Sequence, residues 1–227
     1  PSTTVRGRLL ATMDAVDAKG QPLVSASGAG QVRVVRKGEG AAAGAAWSPL
    51  GLTWAVTGDR LGTRHVCGGW FTLPPGSGAG WQGSFRVESA WYVTEGALDV
   101  AWREAAGPQQ ARIARGTFLY VPPGLALEVR PAGGAAGLVL FGGATSPDRL
   151  AETTSPDRLA GEPAAADGAR PPWIARVNEL PSDTGYEPPL DMRWAVTDGL
   201  GGARLLCGAR TLNPPRGRIQ HPNHDGG

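Results

Sequence analysis

No apolar run in the sequence approaches the ~20 residues that a membrane-crossing helix needs, so no such helix is expected. An excess of one charge is missing too. The 22 Lys and Arg stand against 20 Asp and Glu, for a formal net charge of +2, and the basic residues are scattered. That leaves no basic stripe for nucleic acid and no basic amphipathic segment for a membrane surface. The opening Pro-Ser-Thr-Thr-Val-Arg lacks the charged-then-apolar pattern of a secretion signal, so the expected compartment is the cytoplasm. Histidine, the commonest protein metal ligand, numbers three, and cysteine two.

Glycine and proline, by contrast, are abundant, at 35 and 20 residues. That approaches the level of disordered chains, but eight tryptophans argue for a packed core over most of the length. Such a composition also suits many short strands joined by tight turns.

The chain repeats itself. Trp54-Ala-Val-Thr returns as Trp194-Ala-Val-Thr, Gly62 as Gly202, Arg64 as Arg204, Cys67-Gly68 as Cys207-Gly208 and Pro74-Pro75 as Pro214-Pro215. The offset is 140 residues without a gap, and ten of the twenty-two positions from 54 to 75 are identical. The protein is therefore a duplicated unit. Because Cys67 and Cys207 are one position in two copies, two buried free thiols in two cores are expected rather than a disulfide.

Alternating or apolar runs place strands at 31–35, 52–56, 64–73, 85–87, 90–94, 97–102, 110–113, 117–121, 125–130 and 137–141, with turns every eight to twelve residues. The link Glu95-Gly96 is a tight turn that needs a glycine. Residues 1–30 are an arm with short edge strands, 31–143 a first complete unit, and 173–227 the first strands of a second, incomplete one. Between them, 144–172 is a Pro/Ala/Gly linker without aromatics. It carries Thr-Ser-Pro-Asp-Arg-Leu-Ala twice, at 145–151 and 154–160. Each copy suits a helix start, with Ser as N-cap and Pro following, although a duplicated surface linker is the simpler expectation.

Leu73-Pro-Pro-Gly, Trp91-Tyr-Val-Thr-Glu-Gly-Ala-Leu-Asp-Val and Gly116-Thr-Phe-Leu-Tyr-Val-Pro-Pro-Gly together resemble the cupin superfamily, and two copies resemble a bicupin. The resemblance implies an all-β fold, a double-stranded β-helix or jelly-roll barrel. It also implies a first motif bracketed by Gly76 and Gly96 and a second set by Gly116, Pro122 and Gly124. The family's metal-ligand slots then fall on Gln82, Ser84, Ser89 and Leu127. None is a histidine or carboxylate, so the first barrel is expected to hold no metal. Glu88 lies one residue from a slot and should face away, because side chains alternate along a strand. In the second copy His221 and His224 stand where the family's His-rich motif begins. They are the expected ligands of a divalent transition metal (Fe, Mn, Ni or Zn).

The aromatics Trp54, Trp70, Trp91, Tyr92, Phe118 and Tyr120 on the strands either line a small-molecule pocket or simply fill the core. Three functions follow. The first is a metal-dependent bicupin enzyme of dioxygenase, decarboxylase or isomerase type acting on a small molecule, with its metal in the second barrel. The second is a non-catalytic binding or dimerising barrel. The third is metal-free acid/base catalysis, for which His65 and Glu88 are the only candidates. The family resemblance also implies a homodimer. The half-made second barrel must belong to a longer chain, fold onto the first barrel, or pair with another chain.

Overall fold

The computed structural model describes residues 8–11, 33–36, 40–42, 52–61, 63, 65–75, 81–143, 150–152, 170–183 and 191–212. The strands are β1 (Arg8–Ala11), β2 (Arg33–Arg36), β3 (Ala41–Ala42), β4 (Thr53–Val56), β5 (Cys67–Leu73), β6 (Trp81–Phe85), β7 (Ser89–Glu95) and β8 (Ala97–Glu104). They continue as β9 (Gly107–Ala114), β10 (Thr117–Val121), β11 (Ala126–Pro131), β12 (Ala136–Gly142), β13 (Ala151–Glu152), β14 (Trp173–Arg176), β15 (Asp191–Val196) and β16 (Gly208–Leu212). A single helical turn, α1 (Gly58–Leu61), sits where a plain turn was expected.

Two antiparallel sheets face each other. One runs β14-β10-β7-β12-β5-β4-β3 and the other β13-β6-β11-β8-β9. Strict alternation sends one row of each sheet inward. Trp54, Phe71, Leu73, Trp91, Val93, Leu119, Leu138 and Leu140 from the first meet Trp81, Phe85, Leu98, Val100, Ile113, Leu127 and Val129 from the second in one buried cluster. This is the all-β jelly roll expected from the sequence. The β7–β8 turn is made by Gly96 at φ 68°, a conformation costly for a residue with a Cβ.

One strand is displaced from its expected place. The strand between β5 and β7 is Trp81–Phe85, not 85–87. Its inward row is Trp81, Gly83, Phe85, and the central glycine hides the apolar alternation from a sequence reading.

The repeat is structural as well as sequential. In the first copy Thr53 pairs with Trp70, Trp54 with Gly69 and Val56 with Gly68, with a bulge between Trp54 and Val56. In the second, Arg193 pairs with Arg210, Trp194 with Ala209 and Val196 with Gly208, with a bulge between Trp194 and Val196. Every pair is displaced by 140. So is β14 from β2.

The beginning of the second copy lies on the first barrel. β14 adds to the edge of β10, with Phe118 opposite Ala175 and Tyr120 opposite Trp173. Ala90, Phe118 and Tyr120, on the outer face of that sheet, pack with Ala175, Val177, Ala195, Val196 and Ala203 in a second buried cluster. Folding onto the first barrel is thus what these residues do. The register β14 takes leaves β10 with no open edge.

The barrel's packing also extends past residue 143, where composition places the start of a linker. Leu150 is fully buried in the barrel core, and Ala151–Glu152 pairs with Phe85 and Ser84 at the edge of β6. The first Thr-Ser-Pro-Asp-Arg-Leu-Ala copy therefore ends inside the barrel instead of on its surface.

Candidate functional site

At the centre of the barrel four rings converge. Trp81 lies 5.4 Å from Trp91 and 5.2 Å from Phe85, Phe85 lies 5.6 Å from Trp91, and Phe71 stacks on Trp91 at 5.7 Å. Such contacts are favourable at these separations. The indole of Trp81 folds back over its own strand. A Cβ at Gly83 would come within 2.6 Å of Trp81 Cζ2, so glycine at 83 makes room for the ring.

The four slots of the first barrel can be placed against this cluster. Ser89 and Leu127 are buried on the inward rows, and Leu127 pairs with Gly83. The Ser89 hydroxyl accepts a hydrogen bond from Trp91 Nε1 at 3.1 Å. Gln82 and Ser84 do not join them. Trp81 and Phe85 face inward, so the residues between point to the outside of the sheet and are half-buried there. Gln82 sits beside Glu128 in the strand register. Glu128, Arg130, Asp99 and Arg112 line an open groove of about 640 Å³ on this outer face. The acids there pair with the arginines, Arg112 Nε with Asp99 Oδ1 at 2.8 Å and Arg130 with Glu128.

The inward positions at this level are therefore Trp81, Gly83, Ser89 and Leu127. They supply one hydroxyl, already used, and no imidazole or carboxylate. This donor set does not fit a transition metal, which wants several N, O⁻ or S⁻ ligands, and indole rings fill the space it would need. Among the described residues, no three His, Cys, Asp or Glu gather where they could hold an ion.

The six aromatics expected to line a pocket are divided among three clusters. Trp54 and Trp91 are in the barrel core. Trp70 packs on the other side of β5 with Ala55 and Val56. Phe118 and Tyr120, with Tyr92 against them, form the seam with the second copy, where Tyr92 and Phe118 lie 4.7 Å apart. A sheet has two faces, and rings on neighbouring positions fall on opposite ones.

Of the acid/base candidates, His65 is exposed just ahead of β5. Glu88 is buried, 5% exposed, and has a partner that sequence reasoning missed. Its carboxylate accepts three successive backbone N–H groups of the second copy: Arg204 at 2.8 Å, Leu205 at 2.8 Å and Leu206 at 3.2 Å. Oriented successive amides of this kind form an anion-binding nest. Burial, and then the Glu88 charge and hydrogen bond, push the Tyr120 hydroxyl up to about 12. Glu88 is thus a clasp between the copies. No sequence signal points to it, because its partners are main-chain groups 116 to 118 residues away.

His221 and His224 lie outside the described residues. The cysteine expectation needs correcting. Cys67 is buried in the barrel core, but Cys207 is exposed just ahead of β16.

Two solved structures share this architecture at low sequence identity. The chain matches an oxalate decarboxylase of Lactobacillus farciminis solved as a formate complex, with TM-score 0.51, 12% identity, and coverage of 70% of this chain and 59% of that one. It matches an oxalate decarboxylase studied for its substrate binding mode with TM-score 0.51, 13% identity, and coverage of 70% and 52%. The fold is the cupin jelly roll. A third oxalate decarboxylase, from Bacillus subtilis, aligns at TM-score 0.48, 14% identity, and coverage of 63% and 48%. The chain spans about half the length of these oxalate decarboxylase chains. No protein-family profile matches the sequence, and no curated protein matches it. Among the described residues, no helix is long and apolar enough to cross a membrane.

Proposed function

We propose that this is a bicupin-type protein in which the first barrel is a scaffold and the second repeat carries the chemistry. That chemistry is metal-dependent, on a small molecule, of decarboxylase, dioxygenase or isomerase type. The observation that carries the reading is the contrast between the repeats. The first fills its ligand level with indole rings. The second keeps the first's hairpin register and bulge at a constant 140-residue offset and continues into a segment holding two of the three histidines.

The register supports a narrower ligand set. Carried on at the same offset, inward Trp81, Gly83 and Phe85 correspond to His221, Asn223 and Asp225, and outward Ser84 to His224. The proposal is therefore that His221 is the first ligand, that Asn223 and Asp225 offer oxygens on the same face, and that His224 is not a ligand. A neutral imidazole with oxygen donors suits Mn, Fe, Ni or Zn. Such an ion would polarise a bound substrate oxygen or bind O₂.

Metal analysis of the purified protein tests this. A divalent transition metal is expected at about one per chain, lost in His221→Ala and kept in His224→Ala. A protein that takes up no metal when supplied with Mn²⁺ or Fe²⁺ overturns the enzyme reading. Loss on His224→Ala with retention on His221→Ala overturns the register. The second reading, a non-catalytic binding or dimerising barrel, is favoured by one specific observation, the filled core of the first barrel.

A further inference from the structure

The groove on the outer face of the five-stranded sheet takes no part in the proposed metal chemistry. Its shape follows from a grid of side chains. The register puts Arg130, Asp99 and Arg112 in one row across β11, β8 and β9, and Glu128, Ala101 and Gln110 in the next. Residues two apart on a strand share a face, so all six stand outside the barrel. Five of them are long and polar. Ala101 alone is short, and the gap it leaves is the floor of the groove, which at about 640 Å³ has the size of a small-molecule site.

The charged members of the grid are already paired with each other. Arg112 donates from Nε to Asp99 Oδ1 at 2.8 Å and from Nη2 to Asp99 Oδ2 at 3.1 Å. Arg130 pairs with Glu128 along β11. The carboxylates and guanidiniums balance, so the groove selects no ligand by net charge. Hydrogen-bonding capacity remains. An arginine fork has about five N–H groups and a carboxylate about four acceptor sites, so a bidentate pair still offers both donors and acceptors. Gln110 adds an amide that donates and accepts. The ion pairs hold these groups in place, which lowers the side-chain freedom lost when a ligand binds.

We infer that this groove binds a neutral polyhydroxylated ring, a mono- or disaccharide unit. The Ala101 methyl takes the C–H face of the ring. The surrounding carboxylates, guanidiniums and amide reach its hydroxyls from the sides. Each hydroxyl both donates and accepts, and so uses acid and arginine alike. An anion would engage only the arginines and a cation only the acids.

Amide chemical-shift titration of the full chain tests the site. Glucose, galactose, mannose, maltose and cellobiose are the neutral probes, and glucuronate and glucosamine the charged ones. Saturable shifts are expected in β8, β9 and β11 around Ala101, Gln110 and Glu128 with a neutral probe, and the charged probes are expected to bind no more tightly. Ala101→Ile keeps a strand-favouring residue but fills the gap, and is expected to abolish the shifts with Tm unchanged. Gln110→Ala is expected to weaken binding roughly 3–10-fold, the loss of one or two hydrogen bonds. No saturable shift with any neutral probe overturns the inference. So does unaltered binding in Ala101→Ile, or a charged probe that binds more tightly than every neutral one. Gln110 is exposed, so its variant carries the test whatever Ala101→Ile does to the fold: unchanged affinity there overturns it too.

Discussion

At the scale of single residues, position matters more than type. Glu88 and Ser89 are neighbours at the start of β7, yet one carboxylate clasps the second repeat while one hydroxyl caps a tryptophan inside the barrel. Alternation along the strand separates the two roles. The clasp leaves a titration signature. Tyr120 is held up at about 12, by burial first and then by Glu88, against about 10 for an unfolded tyrosine. The folded state keeps the proton where the unfolded state releases it. The contribution to stability is therefore fully present below pH ~10 and is lost as pH rises toward ~12. Tyrosinate absorbance should show one of the three tyrosines titrating late, absent in Tyr120→Phe and moved to lower pH in Glu88→Gln. A Tyr120 titration that does not move in Glu88→Gln would show that the clasp is not formed.

At the scale of elements, β14 is the piece that joins the second repeat to the first barrel's sheet. Its one buried small residue, Ala175, sits opposite Phe118 in the seam with the second copy and is almost fully buried. A carboxylate there would have neither water nor a partner. Ala175→Asp is expected to cost at least about 3 kcal/mol, with β10 edge amides exchanging faster and the Tyr92–Phe118 pair opening to solvent. Denaturant melting and hydrogen exchange check both. A variant as stable as the parent would show that β14 is only resting on the barrel. Most strands here were legible from alternation, and Gly96 from its turn. The misplaced strand at Trp81–Phe85 was not, because the glycine at its centre carries no apolar signal and its function, to admit the Trp81 ring, depends on a rotamer.

At the scale of the whole molecule, the second repeat's hairpin depends on the first barrel for its apolar cover. Ala195, Val196 and Ala203 are buried in a cluster shared with Ala90, Phe118 and Tyr120. The barrel strands and β14–β16 should therefore melt as one cooperative unit, with calorimetric and van't Hoff enthalpies in agreement. Two resolved transitions would contradict the shared core. The same arrangement separates the cysteines. Cys67 is buried in the barrel core and Cys207 is exposed just ahead of β16, although their local sequences match.

The sequence alone determined that the chain is a duplicated all-β protein with a cupin-like pattern of turns, because repeats, alternation and glycine turns are local or self-referencing signals. It also showed that none of the family's ligand types stands at the first barrel's slots. Only the tertiary structure decided which residues face inward at that level, since a one-residue change of strand position exchanges the two faces of a sheet. It alone divided the aromatics between core and seam, made Glu88 a clasp, and drew Leu150 out of a nominal linker into the core. Those outcomes rest on contacts between residues far apart in the chain, which no local pattern encodes.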